Sequence, residues 1–249
     1  MSKSTMRNIK LTIEYDGIDY HGWQCQPNAR TIQGVMEEKV GRIVNEKVIL
    51  AASGRTDAGV HALKQVANFR TESGISCEAL HKGLDALLPE DIAITEVSEA
   101  DGDFHSRFSA TGKVYIYQIL NRPHPSALLN RFSWFIRHPL NVELMNEAAT
   151  HIIGKHDFSS FRASSCGAPH PVKDVKAAQF RREGDLLLFE IEATGFLHHM
   201  VRNIVGTLVD VGAGRTTTLS FKRLLDLKDR RLAGITAPPY GLFLKDVKY

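Results

Sequence analysis

The chain has 249 residues, 43% of them hydrophobic and 24% charged, with a formal net charge of +3; that suits one large or two modest globular domains. The longest apolar run is about five residues (Val48 to Ala52), far too short for a membrane-spanning helix. Cys25, Cys77 and Cys166 are widely spaced without a CxxC pair, so neither a disulfide framework nor a cysteine zinc site is expected, and a reduced cytoplasm fits.

The opening residues, MSKSTMRNIK, carry no apolar h-region of a secretory signal. Ile9, Leu11, Ile13 and Tyr15 alternate with Lys10, Thr12 and Glu14 and predict a half-buried strand. Thr31 is placed to cap a helix with Ile32, Val35, Met36, Val40, Ile43 and Val44 on one face. A short strand follows at Val48–Ala52, and a return strand at Val66–Phe69. Ser76 can cap a second helix, with Ala79, Leu80, Leu84, Leu87 and Leu88 inward and its end near Pro89. Ile92–Val97 reads as a strand.

Residues 101–112, DGDFHSRFSATG, are rich in breakers and mark the expected boundary between two halves, 1–103 and 104–249. Beyond it KVYIYQILN (113–121) and RFSWFIRH (131–138) are strand-like. A helix over 141–153 has Asn141 as cap and Gly154 as its stop. Val172–Arg182 and Leu186–Ala193 form a hairpin around Gly184-Asp185. Leu197, Met200, Val201, Ile204, Val205 and Leu208 then lie on one stripe of a helix. A short helix from Ser220 and a strand over 241–247 end the order. The fold class is α+β, and the similar order of elements in both halves hints at a duplicated fold.

Charge is unevenly spread. Glu72 to Asp103 holds nine acids and one base, Lys82. Phe104 to His138 holds five Lys/Arg and no acid, and Lys155 to Arg182 holds six Lys/Arg and two acids. A basic face of this kind is the footprint expected for a polyanion partner, and by composition alone a solvated surface with uneven charge reads the same. Several chemistries fall away on spacing. His198 and His199 are neighbours, so on a helix they point about 100° apart and cannot chelate one ion together. HDF (156–158) and HHM (198–200) match no zincin spacing. GAGR (212–215) lacks the GK[ST] of a phosphate loop, and no G-x-S-x-G elbow is present. No metal is expected.

The segment GRTDAGVHA (54–62) has Gly54 and Gly59 bracketing Asp57, which allows a tight turn and close substrate approach. Alone, Asp57 reads as an Asx-turn or cap residue with Arg55 as a surface ion-pair partner.

GRTDAGVHA resembles the catalytic signature of the tRNA pseudouridine synthase A family, and the resemblance runs nearly end to end. YDGIDYHGWQCQP followed by TIQGVMEE (15–38), FHSRFSATGKVYIYQILN (104–121), HDFSSFR (156–162), FLHHMVRNIVGTL (196–208) and APPYGLFLKDVKY (237–249) resemble its other blocks in order. The resemblance implies the pseudouridine synthase fold, two α/β halves sharing a continuous mixed sheet with a central cleft. It implies a homodimer acting on tRNA, without cofactor, that isomerises uridine in the anticodon stem-loop (tRNA positions 38, 39 and 40). By position it makes Asp57 the catalytic aspartate, Tyr115 the tyrosine packed on the target uracil, and Arg202 the cation paired with the aspartate. Arg55 matches the arginine that displaces the target base.

Pseudouridine formation detaches uracil and rejoins it through C5, so water must stay out. One carboxylate suffices because no water is activated, unlike glycoside hydrolysis. Arg202 falls about 140° from Leu197 on the helix, at the edge of the apolar stripe, where a snorkelling surface arginine would also sit. Tyr115 could be an ordinary sheet-face aromatic, and a flipped base needs such a partner. Arg107, Lys113 and Arg162 are candidates for RNA-backbone contacts, and His61 reads as structural. Two rivals are a non-catalytic RRM-like module, which would not need Asp57, and a hydrolase, which lacks a second acid or base.

Overall fold

The computed structural model describes residues 6–164 and 166–249. They fall into two units: the chain up to Thr111 with Leu244–Tyr249, and Gly112–Phe243.

The first unit contains β1 (Arg7–Tyr15), α1 (Ile32–Val44), β2 (Ala51–Ala52), β3 (His61–Thr71), α2 (Cys77–Leu87) and β4 (Ile92–Ala100). Strand β1 lies between β3 and β4 and is antiparallel to both, with Leu11 opposite Ala67 and Val97. Both helices start on the predicted caps: Thr31 Oγ1 accepts the Gly34 N–H at 3.3 Å, and Ser76 Oγ accepts the Ala79 N–H at 3.1 Å. Helix α2 buries only Leu80 and Leu84, while Ala79 is exposed and Leu87 and Leu88 are partly covered. Its inward stripe is thus narrower than the spacing predicts. Strand β3 is longer than its apolar run, because it starts at His61 and pairs Ala62 with Tyr15. Strand β2 is shorter, two residues opposite Asn68 and Ala67.

The alternation in β1 predicts one solvated face, yet Asn8 and Thr12 on that face are buried. The breaker-rich segment covers part of it. Asn8 Nδ2 donates to the carbonyls of Asp101 (2.8 Å) and Phe104 (2.9 Å), and its Oδ1 accepts from Asn68 Nδ2. Ser106 is fully buried and donates its N–H to Asn68 Oδ1 at 2.9 Å. Residues 104–111 therefore stay with the first unit. Composition marks 101–112 as a boundary, and the break between the units lies at its far end, after Thr111, because Ser106 pegs the preceding residues to the sheet.

The second unit contains β5 (Gly112–Asn121), β6 (Trp134–Ile136), α3 (Val142–Thr150), β7 (Gly154–Asp157), β8 (Val172–Glu183), β9 (Leu186–Ala193), α4 (Met200–Gly212) and α5 (Thr218–Leu227). The strand order is β5-β9-β8-β7, with β6 parallel to β5 and the other pairs antiparallel. Asn141 caps α3 by accepting the Leu144 N–H at 2.9 Å, and Gly184 turns the β8–β9 hairpin at φ +59°. The last strand, β10 (Leu242–Lys248), lies beside β3 and belongs to the first unit from Leu244 onward. In both units the first long strand pairs antiparallel with the second strand of a later hairpin, β1 with β3 and β5 with β9. The order shared by the two halves of the sequence is thus present as topology.

Helix α4 differs from its expected form. The spacing predicts one apolar stripe, but every residue except Arg202 and Asp210 is buried. A helix covered all round lies inside its unit. Gly206 makes that possible: a Cβ there would stand 1.8 Å from the Ile235 carbonyl oxygen, so only glycine admits the 234–237 segment.

Candidate active site

In the first unit the segment around Asp57 is held from below. Thr56 is buried between exposed Arg55 and half-buried Asp57. Its hydroxyl lies 2.8 Å from the Tyr15 hydroxyl, and its carbonyl accepts the Trp23 N–H at 3.1 Å. Burial pushes the Tyr15 phenol up to about 12. On one side of the loop Ser53 donates its hydroxyl to Gln65 Oε1 at 2.7 Å, and Gln65 Nε2 donates to the Gly54 carbonyl at 2.9 Å. On the other side Asp57 O accepts the Val60 N–H at 3.2 Å, and the Gly59 N–H donates to Tyr20 O at 3.2 Å.

The block YDGIDYHGW forms the floor of this loop. Gly22 has φ +83°, and a Cβ there would lie 2.6 Å from Thr56 O and 3.1 Å from the Asp57 carbonyl carbon. A Cβ on Gly17 would lie 1.9 Å from Val60 O. Two backbones therefore run in direct contact beneath Asp57. His61 is buried, with Nδ1 3.1 Å from the Gly17 N–H and 3.0 Å from Asp16 Oδ1. That matches its expected structural part. Among the described residues Arg55 has no hydrogen-bond or ion-pair partner, so its pairing with Asp57, one expectation from proximity in sequence, does not occur.

In the second unit Tyr115 stands on β5 opposite Ile191, 8% exposed, with Phe196 edge-on at 5.0 Å. Its neighbours Val114 and Ile116 are buried too, so β5 is covered on both faces. Arg202 is half-buried near the start of α4. Its Nε donates to Ala237 O at 2.7 Å, and its carbonyl accepts the Ala237 N–H at 3.1 Å. The guanidinium is thus tethered at its root to one residue of the strap 234–237.

The next residue, Asn203, fastens that strap. It is fully buried and donates Nδ2 to Phe161 O at 2.8 Å, while its Oδ1 accepts from Thr236 Oγ1 (2.7 Å) and Arg230 Nη2 (3.0 Å). Burial holds the Arg230 guanidinium below its usual range. Three sequence blocks, HDFSSFR, MVRNIVGTL and the approach to APPYGLF, meet at this amide.

Of the weaker candidates, Arg107 is exposed in the first unit, and Lys113 and Arg162 are half-buried in the second. His198 and His199 do not stand on the helix. They precede it, His199 is left-handed at φ +60°, and their ring centroids are 3.9 Å apart. The 100° separation expected of helical neighbours is therefore corrected: the backbone reverses at His199 and brings the rings together.

A sequence profile of the family described as tRNA pseudouridine synthase matches residues 11–109 and 148–249, well over half of the chain. The chain belongs to the tRNA pseudouridine synthase family. The tRNA pseudouridine synthase A of Acetivibrio thermocellus is 46% identical over 244 residues, covering 98% of this chain and 100% of that protein. That of Methylococcus capsulatus is 48% identical over 242 residues, covering 97% and 89%. That of Thermoanaerobacter sp. (strain X514) is 44% identical over 244 residues, covering 98% and 100%.

The α+β elements described above are thus those of a pseudouridine synthase fold, and the protein is an isomerase. The profile spans Arg55, Asp57, Arg107, Arg162 and Arg202, whereas Lys113 and Tyr115 lie between its two segments. Gly17, Gly22 and Asn203 escaped the reading of residues as chemical groups. Glycines in DG and HG pairs signal turns, and an amide inside an apolar helix signals a buried bond, but neither names its partner.

Proposed function

We propose that this synthase isomerises uridine to pseudouridine in the anticodon stem-loop of tRNA, at tRNA positions 38, 39 and 40, with Asp57 as the catalytic carboxylate. The observation that carries the reading is the seat of Asp57, a half-buried acid on a loop fixed by Thr56, Gly22 and Gly59 inside the family's signature block. A carboxylate on a rigid floor is preorganised for reaction at a sugar or base.

The reaction conserves every atom. The N1–C1′ bond breaks, the freed uracil turns, a C5–C1′ bond forms, the C5 proton leaves and N1 ends protonated. Anionic Asp57 can open it by attack on C1′, by addition to C6 or by removing the C2′ proton to give a glycal. Each route needs the target base out of its stack, and unstacking costs a few kcal/mol. Tyr115 supplies the flat partner for the displaced uracil, backed edge-on by Phe196. Arg202, the cation that the resemblance pairs with the aspartate, offsets the cost of holding a negative charge away from water. Arg55, exposed on the same loop, occupies the gap left by the base or a neighbouring phosphate. Arg107, Lys113 and Arg162 add backbone contacts. The chemistry needs no cofactor. The enzyme acts in the cytoplasm as a homodimer, which light scattering at twice the chain mass would verify.

The deciding experiment uses tRNA lacking the modification, with wild type and Asp57→Ala compared by site mapping. Wild type should form pseudouridine at positions 38–40. The variant should bind tRNA and lose at least about a hundredfold in rate. Undiminished product from Asp57→Ala removes the aspartate from the mechanism. Product confined to another arm refutes the substrate assignment, and free uracil would make the protein a hydrolase.

A further inference from the structure

Phe108 is 76% exposed in the first unit, and its surroundings hold it there. Its loop is closed by the Ser109 N–H donating to His105 O at 2.9 Å and the His105 N–H donating to Ser109 Oγ at 3.1 Å. Between them Ser106 is fully buried as a peg: its hydroxyl donates to the Ala51 carbonyl and lies 2.8 Å from Asn68 Oδ1. The Ser106 carbonyl accepts the Tyr249 hydroxyl at 2.9 Å. Tyr249 packs on Phe104 at 5.0 Å, with Lys10 Nζ within 6 Å of both rings. A loop tied at this many points cannot fold its aromatic tip inward, although burying a phenylalanine would stabilise the protein.

The ring is flanked by groups suited to a nucleobase. His105 lies 4.5 Å from it, tilted by 41°, and the Arg107 guanidinium carbon is 5.5 Å from its centroid. The exposed residues nearest to it in sequence, Arg107 and Thr111, are polar. Cation-flanked aromatics on a basic stretch are the usual equipment of surfaces that hold single-stranded RNA.

We propose that Phe108, braced by His105 and Arg107, is a stacking platform for an unpaired nucleobase of the tRNA substrate, distinct from the target uridine. The proposal rests on the tRNA reading above and adds a binding residue to it. The base offers a π-face, and Arg107 offers its charge to the adjoining phosphate.

The test uses the full chain and unmodified tRNA. Phe108→Ala should melt as wild type does, since the ring is exposed, and should raise KM and Kd by about 5- to 100-fold. Phe108→Tyr and Phe108→Trp should restore binding. The added tryptophan should be quenched by tRNA beyond any change that wild type shows from Trp23 and Trp134. Phe108→Leu, apolar but without a π-face, should behave like alanine. Wild-type binding by Phe108→Ala, or full rescue by leucine, overturns the proposal. A change of oligomeric state in Phe108→Ala overturns it too, by making the ring a contact between copies. The Asp57→Ala comparison runs alongside: if wild type forms no pseudouridine in tRNA, the substrate reading fails, and if only the Phe108 series is flat, this inference alone fails.

Discussion

Asp57 acquires its setting from residues that carry no chemistry. Thr56 is its anchor, and Gly22 and Gly17 are its floor, because backbone fills the space a side chain would need. Gly22→Ala should therefore displace the loop twice over, by the 2.6 Å approach to Thr56 O and by the positive φ. A loss of about 1–3 kcal/mol is expected, with a fall in kcat of up to about a hundredfold if Asp57 moves by an ångström. Thermal melting and single-turnover rates would separate the two effects. Tyr15 adds a pH dependence. Its phenol is pushed from 10.0 to about 12 by burial, so the unfolded chain releases the proton first. The associated stability is present below pH 10 and is lost as pH rises through about 12, on the order of 2–3 kcal/mol. Tyr15→Phe should flatten that part of the alkaline unfolding profile, at a cost of about 1 kcal/mol at neutral pH for the lost bond to Thr56.

At the scale of elements, α4 shows how a basic side chain is held on a buried helix. Sinking the helix leaves Arg202 and Asp210 as its two partly open positions, and the 234–237 strap fixes the root of the Arg202 side chain through Ala237. Asn203 closes the strap. Asn203→Leu should cost about 3 kcal/mol, because Arg230, Thr236 and the Phe161 carbonyl each lose a buried partner. Melting temperature reads that loss. Tethering of Arg202 by the strap further predicts that Asn203→Leu lowers kcat more than it raises KM. Helix starts at Thr31, Ser76 and Asn141 were legible because a cap is a local hydrogen bond. The covering of α4 was not, since the Asn203 amide is satisfied by residues far away in sequence, and Thr207, besides its local bond to the Asn203 carbonyl, accepts from the distant Gly234 N–H.

Across the whole molecule the charge pattern matters more than its sum. A net +3 conceals two basic stretches, and those stretches carry Arg107, Lys113 and Arg162. The affinity for tRNA should fall steeply with salt, log Kd rising linearly with log salt concentration. Alanine at Arg107 or Arg162 should lower the slope by somewhat less than one each. An unchanged slope in a binding titration would remove that arginine from the backbone contacts.

By itself the sequence determined the α+β class, nearly every element and the family, because periodicity, caps and ordered motif blocks are local and additive along the chain. It also singled out Asp57, Tyr115 and Arg202 by the blocks they stand in. Only the tertiary structure decided what lies under Asp57, that 104–111 is pegged to the first unit, that His199 turns the chain before α4, and that Phe108 is left standing outside. Each depends on atoms brought together from distant positions: a glycine against a carbonyl, a serine against an asparagine 38 residues away, a tyrosine hydroxyl from the last residue. Local patterns set where elements begin. What a side chain or backbone meets is settled by packing.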